Sequence, residues 1–349
     1  MLWHLMKRLI PLLTVLLPAL YLAACTEQPR KHHQDFYIFG TMMGVTLWAS
    51  DDAQAQAAFA ALQQRFQGMH QDWHAWNPGL LTRVNAAFAA GEEAQANGEI
   101  VEMVRRSQGI EVTTGGRFNP AIGQLVGLWG FHTSDYPILG PPPAAETIAA
   151  LVELAPSSTD IRIDGLKLYS SNPAVQLDFG GVAKGYAIDI ACEMLRERGI
   201  ENAIVNAGGD LRAIGSHGDR PWKIAVRAPA GGIIGSLETG PDESVFTSGN
   251  YERFRQENEE RYPHILDPRN GWPVRDVASV TVIADEGLLA DAAATAIIVA
   301  GLNDWAEVVQ GLGLNQVMLV DEAGKVYMTR AMSERIDLVK GTEYEVADF

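Results

Sequence analysis

The stretch LDFGGVAKGYAID, Leu177 to Asp189, sets a glycine pair, one lysine and two carboxylates where an extended segment turns into a helix. Leu177 and Phe179 alternate with Asp178 as at a strand end, and Gly180 and Gly181 allow a close ligand approach that side chains would block. From Ala183 the apolar residues Ala187, Ile190, Ala191, Met194 and Leu195 recur at helical spacing, which predicts a helix over 183–198. Backbone N–H groups at such a helix start favour an anion, and Lys184 adds a positive charge in its first turn. By itself the segment is open to two readings, a phosphate cradle or a glycine turn beside a solvated lysine.

Upstream, Lys7 and Arg8 precede a mostly apolar run, Leu9 to Leu22, that is interrupted by Pro11 and Pro18. It reads as an export signal over 1–24 rather than a membrane span. The sequence Leu22-Ala23-Ala24-Cys25 has the form of a bacterial lipobox, which predicts lipidation at Cys25 and a polar tether over 25–35. Several acyl chains, at about 0.8 kcal/mol per buried CH₂, hold a protein on a membrane.

Removing 1–24 takes the formal charge of the 349-residue chain from −16 to −18. So acidic a surface argues against nucleic acid or anionic lipid as a partner, and a polyanionic ligand needs a local positive site or a metal. The other cysteine, Cys192, has no disulfide partner once Cys25 is lipidated and reads as packing.

The rest of the chain supplies further elements. Phe36 to Trp48 reads as two strand pieces interrupted by Gly40 and Gly44, and glycines inside a strand suggest a bulge or a ligand lying against the backbone. Phe59, Leu62, Phe66 and Met69 share one face of a helix over 53–69. Phe118, Trp129 and Phe131 alternate with five glycines, an arrangement suited to a flat ligand or to irregular core packing. Hairpins are expected over 161–170 and 316–328, and further strands near Ala203, Trp222 and Val277. Few connections are regular crossovers, so the fold class is α+β with a mainly antiparallel sheet.

Two further places carry chemistry. The helix expected over 287–301 is apolar nearly all round, with Asp291 and Thr295 as polar exceptions one turn apart. They present oxygens either to a hard cation or to the helix itself. His264 follows a strand-like segment among Ser248, Gly249, Tyr251, Arg253 and Asp267, a set able to orient charged groups. It is a structural histidine or a general base.

Seven motifs in order resemble the ApbE family, the FAD:protein FMN transferases. They are GTMMGVTLW from Gly40, GRFNPAIGQLVGLWGF from Gly116, LDFGGVAKGYAID from Leu177, VNAGGDLRAIG from Val205, TSGNYERF from Thr247, YPHILDPRNGWPV from Tyr262 and LLADAAATA from Leu288. The resemblance implies an ApbE-like (T-fold-like) domain over 36–349 that moves the FMN part of FAD onto a threonine or serine hydroxyl of an exported or membrane flavoprotein, releasing AMP. It implies Mg²⁺ held by Asp291, Thr295 and the carbonyl near Gly181. It places FAD against Met43, Trp76, Arg117, Phe118, Asn119, Asp178, Lys184 and Ile265, and makes His264 the base. It puts the protein on the periplasmic side of the inner membrane. Trp76, Asn119 and Val45 depart from the family's usual tyrosine, aspartate and threonine. Related alternatives are an FAD pyrophosphatase and a lipid-anchored flavin-binding protein.

Overall fold

The computed structural model describes residues 29–133 and 135–349, so the expected export signal and the expected lipidation site Cys25 lie outside the described residues. Nine strands form the largest sheet: β1 (Arg30–Ile38), β2 (Thr41–Ala49), β3 (Ala203–Ala207), β4 (Asp210–Ile214), β5 (Asp242–Gly249), β6 (Val277–Ala284), β7 (Gln316–Asp321), β8 (Val326–Thr329) and β9 (Tyr344–Ala347). They lie side by side in chain order. Every neighbouring pair is antiparallel except β8 with β9, as the α+β reading expected.

Six helices enter between β2 and β3: α1 (Asp52–Trp73), α2 (Leu80–Ala90), α3 (Gly98–Thr113), α4 (Gly123–Trp129), α5 (Ala145–Glu153) and α6 (Ala183–Arg196). A seventh, α7 (Gly287–Gly311), joins β6 to β7 and kinks at Gly301. It is long and apolar enough to cross a membrane, yet two thirds of its most apolar stretch is buried in the fold. An all-round apolar helix is satisfied here by neighbours on every side.

The sheet is covered on both faces at its centre, which is why β6 and β7 read as almost continuous apolar runs. Along β7, Val317 and Leu319 join the core shared with α1, α6 and α7. Met318 and Val320 point the other way, onto a small sheet of 223–227, 233–238 and 337–338. This is the two-residue period of a strand.

Three local expectations are corrected. Strand β1 starts at Arg30, so residues 30–35 belong to the sheet and not to a tether, each paired with β2. Their polar character fits a sheet edge, where charged side chains face water; His33 Nδ1, for instance, lies 2.8 Å from Thr46 Oγ1. Gly40 is not inside a strand. With Phe39 it makes a two-residue hairpin turn, both at positive φ (54° and 69°), a conformation glycine takes without strain. Leu177 to Phe179 form no strand either; only the preceding Gln176 makes an isolated bridge, to Ile122.

What positions the site is the contact between α6 and α7. A Cβ on Gly185 would lie 2.1 Å from the Gly287 carbonyl oxygen, and one on Gly287 would lie 2.7 Å from that of Gly185. Only glycine lets the two backbones meet this closely. The start of α7 is then capped from α6, since Gly287 N and Leu288 N donate to Asp189 at 2.8 and 2.9 Å. Arg212 Nη1 donates to the same carboxylate at 2.6 Å. Cys192, one turn further along α6, is fully buried and its thiol is pushed up to about 12, an inert packing residue.

Gly185→Ala is expected to force the helices apart and to lower stability by at least about 1–3 kcal/mol, the usual cost of overpacking. Urea unfolding measures it, and an unchanged midpoint would contradict the packing argument.

Candidate active site

The extended approach to α6 is pinned from the side. Asn85, buried in α2, donates to the Leu177 carbonyl at 2.9 Å and accepts from Leu177 N at 2.8 Å. Asp178 then accepts from Gly180 N and from Trp76 Nε1, both at 2.8 Å. The carboxylate thus shapes the glycine turn and holds the indole over the cavity.

The first turn of α6 already has an anion, and it belongs to the protein. Gly185 N donates to Asp291 Oδ2 at 3.0 Å across the α6–α7 contact. Lys184 forms a close ion pair with Asp210, and its Nζ lies 3.9 Å from Asp291 Oδ1. Burial disfavours the charge on Lys184, but the two aspartates outweigh burial and raise its pKa. Burial pushes the Asp291 carboxyl up to about 6, with Asp210 adding to the rise and Lys184 opposing it.

Thr295, one turn along α7, donates its hydroxyl to the Asp291 carbonyl at 3.3 Å and lies 3.4 Å from Ser248 Oγ. Gly181 faces it, for a Cβ there would sit 3.1 Å from Thr295 Oγ1. Gly181 and Thr295 thus face each other, Asp291 lies one turn away on α7, and all three line one cavity. Among the described residues no group of three or more His, Cys, Asp or Glu side chains could hold a metal ion by itself. The set is one carboxylate, hydroxyls and backbone oxygen, all hard donors. That chemistry fits Mg²⁺, which keeps few protein ligands and shares substrate phosphate oxygens.

His264 is carried by the hairpin of 254–257 and 260–263, and its backbone N donates to the Arg253 carbonyl at 3.0 Å. Its Nδ1 is buried with no hydrogen-bond partner. Burial first, then the Arg253 charge, lowers its pKa to about 4. At neutral pH the ring is the neutral imidazole, in which one nitrogen carries a hydrogen and the other can accept a proton.

These groups open onto one cavity of about 660 Å³, lined also by Phe39, Trp73, Trp76, Phe131 and Ile265. Trp76 lies on His132 at 4.6 Å between ring centres. Of the aromatic residues interleaved with glycines, Phe118 and Phe131 reach the cavity. Trp129 is core, fully buried with its Nε1 donating to the Gly271 carbonyl at 2.9 Å.

Eleven of the twelve cavity and metal positions expected from the sequence line this space: Trp76, Arg117, Phe118, Asn119, Asp178, Gly181, Lys184, His264, Ile265, Asp291 and Thr295. Met43 does not. It is fully buried in the sheet core, and its register partner Ala207 lines the cavity instead. Arg117 is engaged by Asp304 at 2.8 Å. Asn119 is turned into the scaffold, donating to the Pro156 carbonyl at 2.8 Å and accepting from Ala121 N at 2.8 Å. An aspartate could not make the first of these bonds. Val45, the third departure, is fully buried core.

Asp267, grouped with His264 in the sequence, instead pairs with Arg269 at 2.8 Å. The residue that sequence reasoning missed is Asp210, the partner of Lys184. Its signal was the glycine turn in VNAGGD, which ends β3 and places the aspartate at the start of β4.

A mainly antiparallel sheet covered on both faces, with one cavity at a helix–helix contact lined by carboxylates, hydroxyls and aromatic rings, defines an α+β protein with a candidate active site. A family model described as the ApbE family matches residues 39–318, and the chain belongs to that family. It is 41% identical over 312 residues to a FAD:protein FMN transferase of Rhodobacter capsulatus, covering 88% of this chain and 59% of that protein. The chain therefore spans less than two thirds of that relative. A FAD:protein FMN transferase of Klebsiella pneumoniae is 30% identical over 269 residues, covering 75% of this chain and 80% of that one. The crystal structure of the ApbE protein of Thermotoga maritima matches with a TM-score of 0.79 and 28% identity, covering 87% of this chain and 99% of that one.

The low His264 pKa has a consequence for stability. Between pH 6.5 and about 4 the unfolded chain binds a proton at this residue that the folded chain does not, so stability falls as pH falls through that window. Asp291, whose pKa is raised, acts in the opposite sense. The quantity to read is thus the difference between wild type and His264→Gln in denaturant unfolding. The wild type is expected to lose more stability on acidification, and parallel curves would remove the argument.

Proposed function

We propose that this protein transfers the FMN moiety of FAD to a threonine or serine hydroxyl of an acceptor flavoprotein and releases AMP. The observation that carries the proposal is one cavity joining the Asp291–Thr295–Gly181 oxygen set to His264, whose Nδ1 is buried and unpartnered. The names of the two transferase relatives support the same reaction.

In this reading the flavin ring lies among the aromatic side chains, and the pyrophosphate lies against the Gly180–Gly181 turn. Asp291, Thr295 and the Gly181 carbonyl would hold Mg²⁺, which when bound neutralises negative charge on the transferring phosphate. The acceptor oxygen attacks the FMN phosphorus, a new P–O bond forms, and the bond to the AMP phosphate breaks. The His264 imidazole, which lines the cavity, takes the hydroxyl proton. Trp76 and Asp178, locked together, keep the wall of the cavity in place while this occurs. A lipid anchor at Cys25 would hold the enzyme on the periplasmic face of the inner membrane, near membrane flavoproteins.

Incubation with FAD, Mg²⁺ and a flavoprotein domain carrying the acceptor threonine, read by mass spectrometry, should show the acceptor gaining one FMN while AMP appears. Free FMN and AMP with an unmodified acceptor would instead mean a pyrophosphatase. FAD bound without AMP release would mean a binding protein.

Asp291→Ala should cost at least about 100-fold in transfer rate, since charge neutralisation by a metal supplies several kcal/mol and each 1.36 kcal/mol is tenfold. Full activity of that variant would remove Asp291 from the metal site.

A further inference from the structure

Four arginine or lysine side chains line the cavity, and three of them already have carboxylate partners. Arg117 pairs with Asp304, Lys184 with Asp210 and Arg227 with Glu252 at 3.7 Å. The fourth, Arg253, makes no ion pair or side-chain hydrogen bond with any described residue. Its guanidinium carbon lies 5.7 Å from the centre of the Tyr136 ring, a stacking contact that orients the planar group. Tyr136 is held in turn, donating its hydroxyl to the Phe131 carbonyl at 2.7 Å. The hairpin between β1 and β2 passes beside the fork, since a Cβ on Gly40 would lie in ordinary contact, 4.0 Å, with an Arg253 Nη.

The surroundings of this cation are unusual for so acidic a chain. The Arg253 charge opposes protonation of both His264 and Lys184. Lys184, the positive charge that the sequence assigned to phosphate, is committed to Asp210 and faces Asp291. A free, planar, permanently charged fork beside the base matches a phosphate group bidentately.

We propose that Arg253 is the residue that binds the flavin phosphate in this site, holding it beside His264. The inference rests on the flavin-nucleotide reading and adds to it the group that Lys184 cannot supply alone. It also gives the acidic molecule a local positive point for its anionic substrate.

The test compares FMN with riboflavin, which lacks the phosphate, for binding to the full-length protein by flavin fluorescence quenching. Wild type is expected to bind FMN at least about tenfold more tightly than riboflavin, which forms no charged hydrogen bond with Arg253. Arg253→Gln should erase most of that preference and leave riboflavin binding unchanged, and Arg253→Lys should restore part of it. A preference for FMN that survives in Arg253→Gln overturns the proposal, as does a wild type that binds both flavins equally. If wild type binds neither flavin, the flavin reading itself has failed. Inorganic pyrophosphate with Mg²⁺ then becomes the probe. Calorimetric binding lost in Arg253→Gln supports an anion site at this residue, and binding retained overturns it. Thermal melting of both variants shows that each is folded.

Discussion

The site depends on the contact of two helix backbones at Gly185 and Gly287. Because neither position carries a Cβ, α6 and α7 meet at a distance that ordinary residues forbid. Three consequences follow from that one packing fact. Asp189 caps α7 from α6, Asp291 accepts a first-turn amide of α6, and Thr295 comes to face Gly181. A helix N-terminus that could have bound a free anion instead orients a carboxylate, and the carboxylate makes the place fit for a hard cation.

Charge is arranged around that contact with little surplus. Asp178, Asp210 and Asp291 face the cavity, with Lys184 lodged between the last two. A buried carboxylate in such company is held above its normal pKa and is relieved by a metal or by protonation. Arg253 and His264 lie together in the same cavity, and among the described residues neither side chain has a carboxylate partner. The cavity thus brings oxygen ligands together with a free guanidinium and a neutral imidazole. Such a cavity suits a phosphoryl group, which needs positive charge around it and a proton acceptor near the attacking oxygen.

Much of this was legible in order along the chain. Glycines beside Lys184, the Asp291–Thr295 spacing and the motif around His264 are local patterns, and each lies where the sequence placed it. The antiparallel α+β class was legible too, because hairpin turns and short strand runs are local signals. Less was legible where a residue's role depends on a distant partner. Met43 reads like its neighbours in a motif, but the pleat of β2 turns it into the core. Arg30 to Asp35 read as a polar tether, since an edge strand with one wet face has the composition of a loop. Asp210 reads as the end of a glycine turn and becomes a site residue only when β4 is laid beside β5, where it also accepts from Thr247 N at 2.9 Å.

The sequence by itself determined the residue types available for chemistry, the glycines that permit close approach and the helical spacing that puts Asp291 and Thr295 on one face, because all of these act within a turn or two of chain. Tertiary structure alone decided which charges are spent and which are free. Lys184 and Arg253 carry the same charge on paper, yet β4 brings Asp210 to the first while no described carboxylate reaches the second. Ion pairing is a matter of a few ångströms between segments far apart in the chain, and no local pattern carries that distance.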